Sequence, residues 1–167
     1  MKIESSLKLF IDDLEKVINE GRTSIVLVPE ISLTPQMVDR FIARFGKEDI
    51  AILHSKLSIG ERYDEWQKIK YGKARIVIGA RSAIFAPIEN LGIIIIDEEH
   101  DNSYKSEAVP KYDAKEIAKK IAKENNCPLV LGSATPDLVT YYKANQEKIT
   151  LLELTKRANN SKLPDVE

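Results

Sequence analysis

Leu91-Gly92-Ile93-Ile94-Ile95-Ile96-Asp97-Glu98-Glu99-His100-Asp101 is the stretch on which the reading of this 167-residue chain turns. Its four consecutive isoleucines form an apolar run too short for a helix. β-Branching at each position favours a strand buried on both faces. Asp97 then stands at the carboxyl end of that strand. In open parallel α/β sheets, ligands bind in the crevice formed by the loops that leave the strand ends. The like charges of Asp97, Glu98, Glu99 and Asp101 repel one another and call for a cation or hydrogen-bond donors nearby. Magnesium is the natural candidate.

Outward from this strand, helical and extended patterns alternate. Leu7, Phe10, Ile11, Leu14, Val17 and Ile18 have helical spacing, with Gly21 as the left-handed stop. Ser24 to Val28 reads as a buried strand, and Thr34-Pro35 as the cap and first residue of a helix with Phe41, Ile42 and Phe45 inward. Residues 49–53 form a short strand. Ser58 and Glu61 have capping-box spacing and open a helix carrying Trp66 and Ile69, and Arg75 to Ile78 is the next strand. On the other side of the acidic stretch, a polar segment leads to a helix from Asp113 with Ile117 and Ile121 inward. Asp113 and Glu116 again have cap spacing. Pro128 to Leu131 and Ile149 to Leu154 are further strands, with Gly132-Ser133-Ala134-Thr135-Pro136 turning into a helix between them. This alternation predicts an α/β fold, a mostly parallel sheet with helices on both faces. The strand ends and their polar motifs share one edge.

Composition narrows the function classes. Hydrophobic residues make up 43% and charged residues 31%, and the net charge is −1, so the chain is globular and any nucleic-acid contact must be local. The single cysteine, Cys127, excludes an internal disulfide or a multi-cysteine zinc site and fits a reducing cytoplasm. Asp12 and Asp13 interrupt the amino-terminal apolar residues, and no run approaches bilayer length, so neither leader nor membrane partner is expected.

Four motifs carry candidate chemistry, each with a plainer reading beside it. Asp97 past a buried strand suits magnesium held through water, and Glu98 suits orienting water for attack on a phosphate; the plain reading is a solvated acidic turn. A lone histidine such as His100 is more often a hydrogen-bonded structural residue. Gly132 to Pro136 is either a glycine turn with a Thr135 cap, or a segment in which Ser133 and Thr135 relay the state of the acidic cluster. Arg81 and Ser82, in Gly79-Ala80-Arg81-Ser82, form either a phosphate grip or a surface ion-pair site. Tyr104, Lys105, Lys111 and Tyr112 interleave rings and cations as single-strand binding surfaces do, or belong to a solvated loop. Two other classes stay open: a non-catalytic DNA- or partner-binding module, and a hydrolase that binds metal directly through Asp97, Glu98 and His100.

Pro29 to Gln36, Gly79 to Pro87, Asp97 to Lys105 and Gly132 to Pro136, in this order, resemble consecutive motifs of the replication-restart DNA helicases of superfamily 2. The resemblance runs from about Leu7 to the carboxyl end. It implies the first RecA-like lobe, of the phosphate-loop NTPase type, over 1–156, with 157–167 as an exit segment towards a remainder. It implies an ATP-driven motor of 3′-to-5′ polarity acting on single-stranded or forked DNA in replication restart, with primosome and single-strand-binding proteins as partners. Asp97 and Glu98 would then serve Mg-ATP and water, while His100, Ser133 and Thr135 couple hydrolysis to motion. Thr34, Gln36, Arg81 and Ser82 would contact DNA, and Tyr104, Lys105 and Tyr112 would lie in an aromatic loop that senses it.

Two features depart from that family. Lys111-Tyr112-Asp113-Ala114-Lys115 stands where the family usually has Arg-Tyr-His-Ala-Arg, losing bidentate geometry at both ends. No G-x-x-x-x-G-K-S/T stretch exists, so the backbone cradle and lysine of a phosphate loop are missing. The expectation is a lobe without its central phosphate-loop strand, no tightly bound cofactor and no ATPase activity by itself. The place of the missing strand is expected to be taken by the amino-terminal segment, a rearranged strand or another chain, including self-association at an exposed edge.

Overall fold

The structure, a computed structural model, describes residues 3–153, with side chains from Leu9 onward. In chain order it runs α1 (Ile3–Asn19), β1 (Thr23–Leu27), α2 (Pro35–Phe45), β2 (Ile50–Leu53), α3 (Ile59–Lys70), β3 (Ile76–Gly79), β4 (Leu91–Ile96), α4 (Ala114–Glu124), β5 (Leu129–Leu131) and α5 (Leu138–Asn145). The strands form one all-parallel sheet in the order β2-β3-β1-β4-β5. Every residue of β4 is buried, as its isoleucine run predicts.

The isoleucines divide by parity between two cores. Ile94 and Ile96 pack with Ile25, Leu27 and Val77 beneath Ala114, Ala118 and Ala122 of α4 and Ile69 of α3. Ile93 and Ile95 pack on the opposite face with Val26, Ile76 and Ile78 against Phe10, Leu14 and Ile18 of α1 and Phe41 of α2. This is the three-layer arrangement that a fully buried parallel sheet requires. On α4 the fully buried stripe is alanine rather than Ile117 and Ile121, which are only partly covered. Small side chains bring that helix axis close to the sheet.

Local signals fix most helix starts. Thr34 Oγ1 accepts the Met37 N–H at 3.3 Å with Pro35 as the first helical residue. Ser58 and Glu61 close a reciprocal capping box, each side chain accepting the other's N–H. Asp113 caps α4 through the Lys115 N–H at 2.8 Å, whereas Glu116 pairs with Lys119 and closes no box. The cap of α5 is Asp137, not Thr135, which frees the Ser133–Thr135 hydroxyls for other partners.

The two sheet edges are treated differently. Along β2, Glu65 Oε2 accepts the Ile52 N–H at 2.8 Å, and Lys68 Nζ donates to the Ile50 and Lys47 carbonyls at 2.5 and 2.7 Å. These side chains occupy the ladder positions an incoming strand would use. α3 thereby turns polar groups towards the sheet and leaves Ile59, Tyr63 and Trp66 exposed. Along β5, no strand pairs with the outer edge among the described residues. Its residues are half-buried, unlike those of β4.

The expected last strand is corrected here. Residues 150–153 have no regular structure, and Leu154 lies outside the described residues. An extended pattern becomes a strand only where it pairs with a neighbour, and among the described residues nothing pairs with the outer edge of β5. The amino-terminal segment is helix from Ile3, and no rearranged strand appears among the described residues, so neither takes up the open edge. The exit segment 157–167 and the last residues of the expected lobe also lie outside them.

Candidate functional site

The acidic turn leaves β4 between two parallel neighbours that hold it at once. The Asp97 N–H donates to the Leu27 carbonyl at the end of β1 at 2.9 Å, and the Glu99 N–H donates to the Gly132 carbonyl past β5 at 2.9 Å. Between them Glu98 lies at φ 46°, in the left-handed region, and donates its N–H to Asp97 Oδ1 at 3.0 Å. For a residue with a Cβ this conformation costs on the order of 1–2 kcal/mol and persists where neighbouring contacts over-determine it.

Tyr104 supplies another of those contacts. Its ring is fully buried, and its hydroxyl donates to the Asp97 carbonyl at 2.6 Å, with the Leu27 carbonyl at 3.2 Å. The resemblance places Tyr104 in an aromatic loop that senses DNA; here its ring faces the core at 0% exposure. One tyrosine in a polar segment has become the core anchor of the acidic turn. Burial pushes its phenol pKa far up, with Asp97, Asp101 and Glu98 adding to it, so it remains a donor at any working pH.

The solvent side of the turn meets the segment after β5. Ser133 Oγ lies 2.7 Å from His100 Nδ1, and Thr135 Oγ1 lies 3.5 Å from His100 Nε2. Glu98 Oε2 lies 3.5 Å from the same Nδ1. The residues Asp97, Glu98, His100, Ser133 and Thr135 thus lie together where the neighbouring ends of β4 and β5 meet. Gly132 makes the approach possible: a Cβ there would come 2.6 Å from Phe10 Cζ and 3.3 Å from Asp97 Oδ1. Among the described residues no group of three or more His, Cys, Asp or Glu side chains is arranged to hold a metal ion.

Burial raises the Asp97 carboxyl above its ordinary pKa, with the Glu98 charge adding to this and the Glu98 N–H opposing it. The folded chain therefore binds that proton more tightly than the unfolded one. The contribution favours folding fully below the unfolded aspartate value, near 3.9, and is lost as pH rises through the raised folded value. At neutral pH the charge opposes folding. Asp97→Asn, which keeps an acceptor for the Glu98 N–H, is expected to stabilise the chain by roughly 0.5–2 kcal/mol at pH 7. Urea unfolding followed against pH should show the gain shrinking towards zero below about pH 4, and a gain independent of pH would contradict the assignment.

Thr34 and Gln36 follow β1, and Arg81 and Ser82 follow β3, so the two candidate DNA-contacting pairs stand over adjacent strands. Gln36 and Ser82 are exposed, and Thr34 is exposed while capping α2. Arg81 is not a free grip. Its Nη1 donates to the Lys105 and Ser103 carbonyls at 2.5 and 3.2 Å, and its guanidinium carbon lies 5.4 Å from the centre of the Tyr112 ring. Phe85 meets the same ring edge-on at 5.1 Å. Arg81 and Tyr112 therefore carry the 102–112 loop between them, with the Lys105 side chain exposed.

Three functional features escape the sequence reading. Glu99 is buried at 1% exposure and accepts from Lys115 Nζ, the Asp137 N–H and Thr140 Oγ1. Lys115 is therefore an internal partner rather than a phosphate contact. A lysine in the first turn of a helix, against the helix dipole, was a signal that it has an anionic partner. Glu30 accepts the Ser55 N–H at 3.1 Å and the Ser55 hydroxyl, tying the ends of β1 and β2 across the rim and lowering the Glu30 pKa. No spacing rule announces that contact.

Residues 6–143 match the family of DEAD/DEAH box helicases. The chain is 56% identical over 159 residues to the replication restart protein PriA of Bacillus subtilis (strain 168), covering 95% of this chain and 20% of that protein. It is 48% identical over 155 residues to the PriA of Synechocystis sp., covering 90% and 18%. Against the PriA of Treponema pallidum it is 44% identical over 160 residues, covering 96% and 24%. The chain thus spans about a fifth of the length of these curated relatives. Among solved structures, the C-terminal domain of the DEAD-box protein Dbp5 superposes with TM-score 0.57 at 13% identity, covering 91% of this chain and 80% of that one. Domain 2 of the DEAD-box helicase Mss116p bound to an RNA duplex gives TM-score 0.50 at 14% identity, covering 90% and 67%. At such identities the likeness concerns the RecA-like fold and not the lobe.

Proposed function

This chain belongs to the DEAD/DEAH box helicase family, and from that premise we propose that it is the motor-lobe part of a replication-restart DNA helicase. The observation that carries the reading is the Asp97–His100 turn at the end of the buried β4, locked to Ser133 and Thr135 of the neighbouring loop. That wiring suits a lobe in which the state of a phosphate site is passed to its surroundings.

The donor set fits a magnesium–nucleotide held mainly from elsewhere. Asp97 offers one half-buried carboxylate at the strand end, enough for contact through water and too little for a protein cage. Glu98 is the group placed to orient or accept a proton from water. The bound ion would supply charge neutralisation on the phosphates. A further parallel strand beside β5 would bring its terminal loop to the same rim, where the Phe10 ring of α1 packs on Gly132. The sequence itself holds no phosphate loop of the expected pattern. The whole protein would be an ATP-dependent 3′-to-5′ translocase on single-stranded or forked DNA, in the cytoplasm, with primosome and single-strand-binding proteins as partners. Thr34, Gln36, Arg81, Ser82, Lys105 and Tyr112 form the DNA-facing rim in this reading. The alternative is a non-catalytic DNA- or partner-binding module.

Two measurements test the proposal. Purified chain is expected to bind single-stranded DNA with affinity that falls as salt rises, and Lys105→Ala, which removes an exposed cation of the rim, is expected to weaken it and to lower the salt dependence. Binding that ignores salt or the substitution would remove the rim from the proposal. The same chain is expected to show no magnesium-dependent ATP turnover, with or without DNA. Robust turnover that disappears in Glu98→Gln would sink the claim that a phosphate-holding segment is needed.

A further inference from the structure

His100 accounts for one side of the contact between the acidic turn and the segment after β5. The opposite, buried side is held by a residue with no assigned role. Glu99 Oε1 accepts the Asp137 N–H at 2.7 Å, and Glu99 Oε2 receives Lys115 Nζ at 3.1 Å and Thr140 Oγ1 at 3.2 Å. Its backbone N–H is bound to Gly132. One carboxylate thus joins β4, the first turn of α4 and the capped start of α5, immediately next to the strained Glu98.

We propose that Glu99 is the positioning residue of this turn: its clasp on Lys115, Thr140 and the Asp137 N–H holds Glu98 in the left-handed conformation and fixes the turn to α5. The physical reason is over-determination. Glu98 has a Cβ and no side-chain bond strong enough to keep it at φ 46°, so the restraint must come from the residues on either side. Asp97 is restrained by β1 and Tyr104, and Glu99 supplies the other half. Any displacement of α5 would be felt at Glu98 through a short path that runs through the buried Glu99 carboxylate, with His100 and Ser133 moving alongside it. The functional meaning, that α5 and the water-orienting carboxylate share one position, rests on the helicase reading; the geometry does not.

Nuclear magnetic resonance on the chain without nucleotide or DNA separates the two. His100 is one of only two histidines, so its ring signals are readily assigned, and a left-handed Glu98 is marked by a short HN–Hα distance within the residue. Thr140→Val removes one arm of the clasp and leaves both charges in place. Glu99→Gln keeps an acceptor for Asp137 but turns a donor towards Lys115. Lys115→Arg keeps the charge. In the first two variants the Glu98 and His100 signals are expected to shift together, and exchange of the Asp137 amide to quicken by about tenfold or more, with β1–β3 unchanged. Lys115→Arg should resemble the parent. If Glu98 stays left-handed and His100 stays in place in both Thr140→Val and Glu99→Gln, the proposal is overturned, whatever happens to the melting temperature. Failure of the parent chain to bind single-stranded DNA in a salt-dependent way would count against the helicase reading and leave this result standing.

Discussion

Tyr104→Ala is expected to destabilise the chain by about 3–5 kcal/mol, the range for removing a fully buried aromatic ring, enough to unfold a marginal domain of this size. The ring sits beneath β1, β4 and α4, and its hydroxyl satisfies the carbonyl of Asp97 at the point where the acidic turn begins. Tyr104→Phe separates the two contributions. It keeps the ring and leaves a buried carbonyl short of its donor, at an expected cost of about 1–2 kcal/mol. Urea unfolding of the two variants beside the parent checks both numbers. A loss below about 1 kcal/mol for Tyr104→Ala would show that the ring is not core and would return it to the exposed loop of the sequence reading.

Lys115→Met is expected to cost a similar amount, about 3–5 kcal/mol, because it strands the Glu99 charge at 1% exposure. The lysine side chain is itself only 13% exposed, so little water reaches the pair from either end. Glu99→Gln combined with Lys115→Met removes both charges and should recover most of the loss, as neutral replacements of buried pairs commonly do. Thermal or urea unfolding of the two singles and the double completes the cycle. If the double is as unstable as the sum of the singles, the pair carries no coupling and the loss lies in packing alone.

Those two residues mark where sequence legibility ends. The sheet was legible because the Ile93–Ile96 run is a local pattern with one physical solution, and the helix starts at Thr34 and Ser58 were legible because caps act over three residues. The Asp97, Glu98, His100, Ser133 and Thr135 group could be read from strand ends alone, since parallel order brings neighbouring ends together. Tyr104 could not. Whether a ring in a polar segment turns inward depends on a space between β1, β4 and α4 that exists only after they assemble. Glu99 and Lys115 are likewise sixteen residues apart with no periodic relation. The extended pattern from Ile149 misled for the opposite reason: the local preference was read correctly, but a strand is a property of two chains side by side.

The inverted face of α3 has an optical consequence. Trp66 is the sole tryptophan in the sequence, and it is 42% exposed, on the helix that spends its polar side chains on capping β2. Its fluorescence therefore samples water at the edge of the sheet farthest from β5, several strands away from Asp97. Emission and quenching from this one indole report whether something settles on that flank, while events confined to the acidic turn leave the signal unchanged.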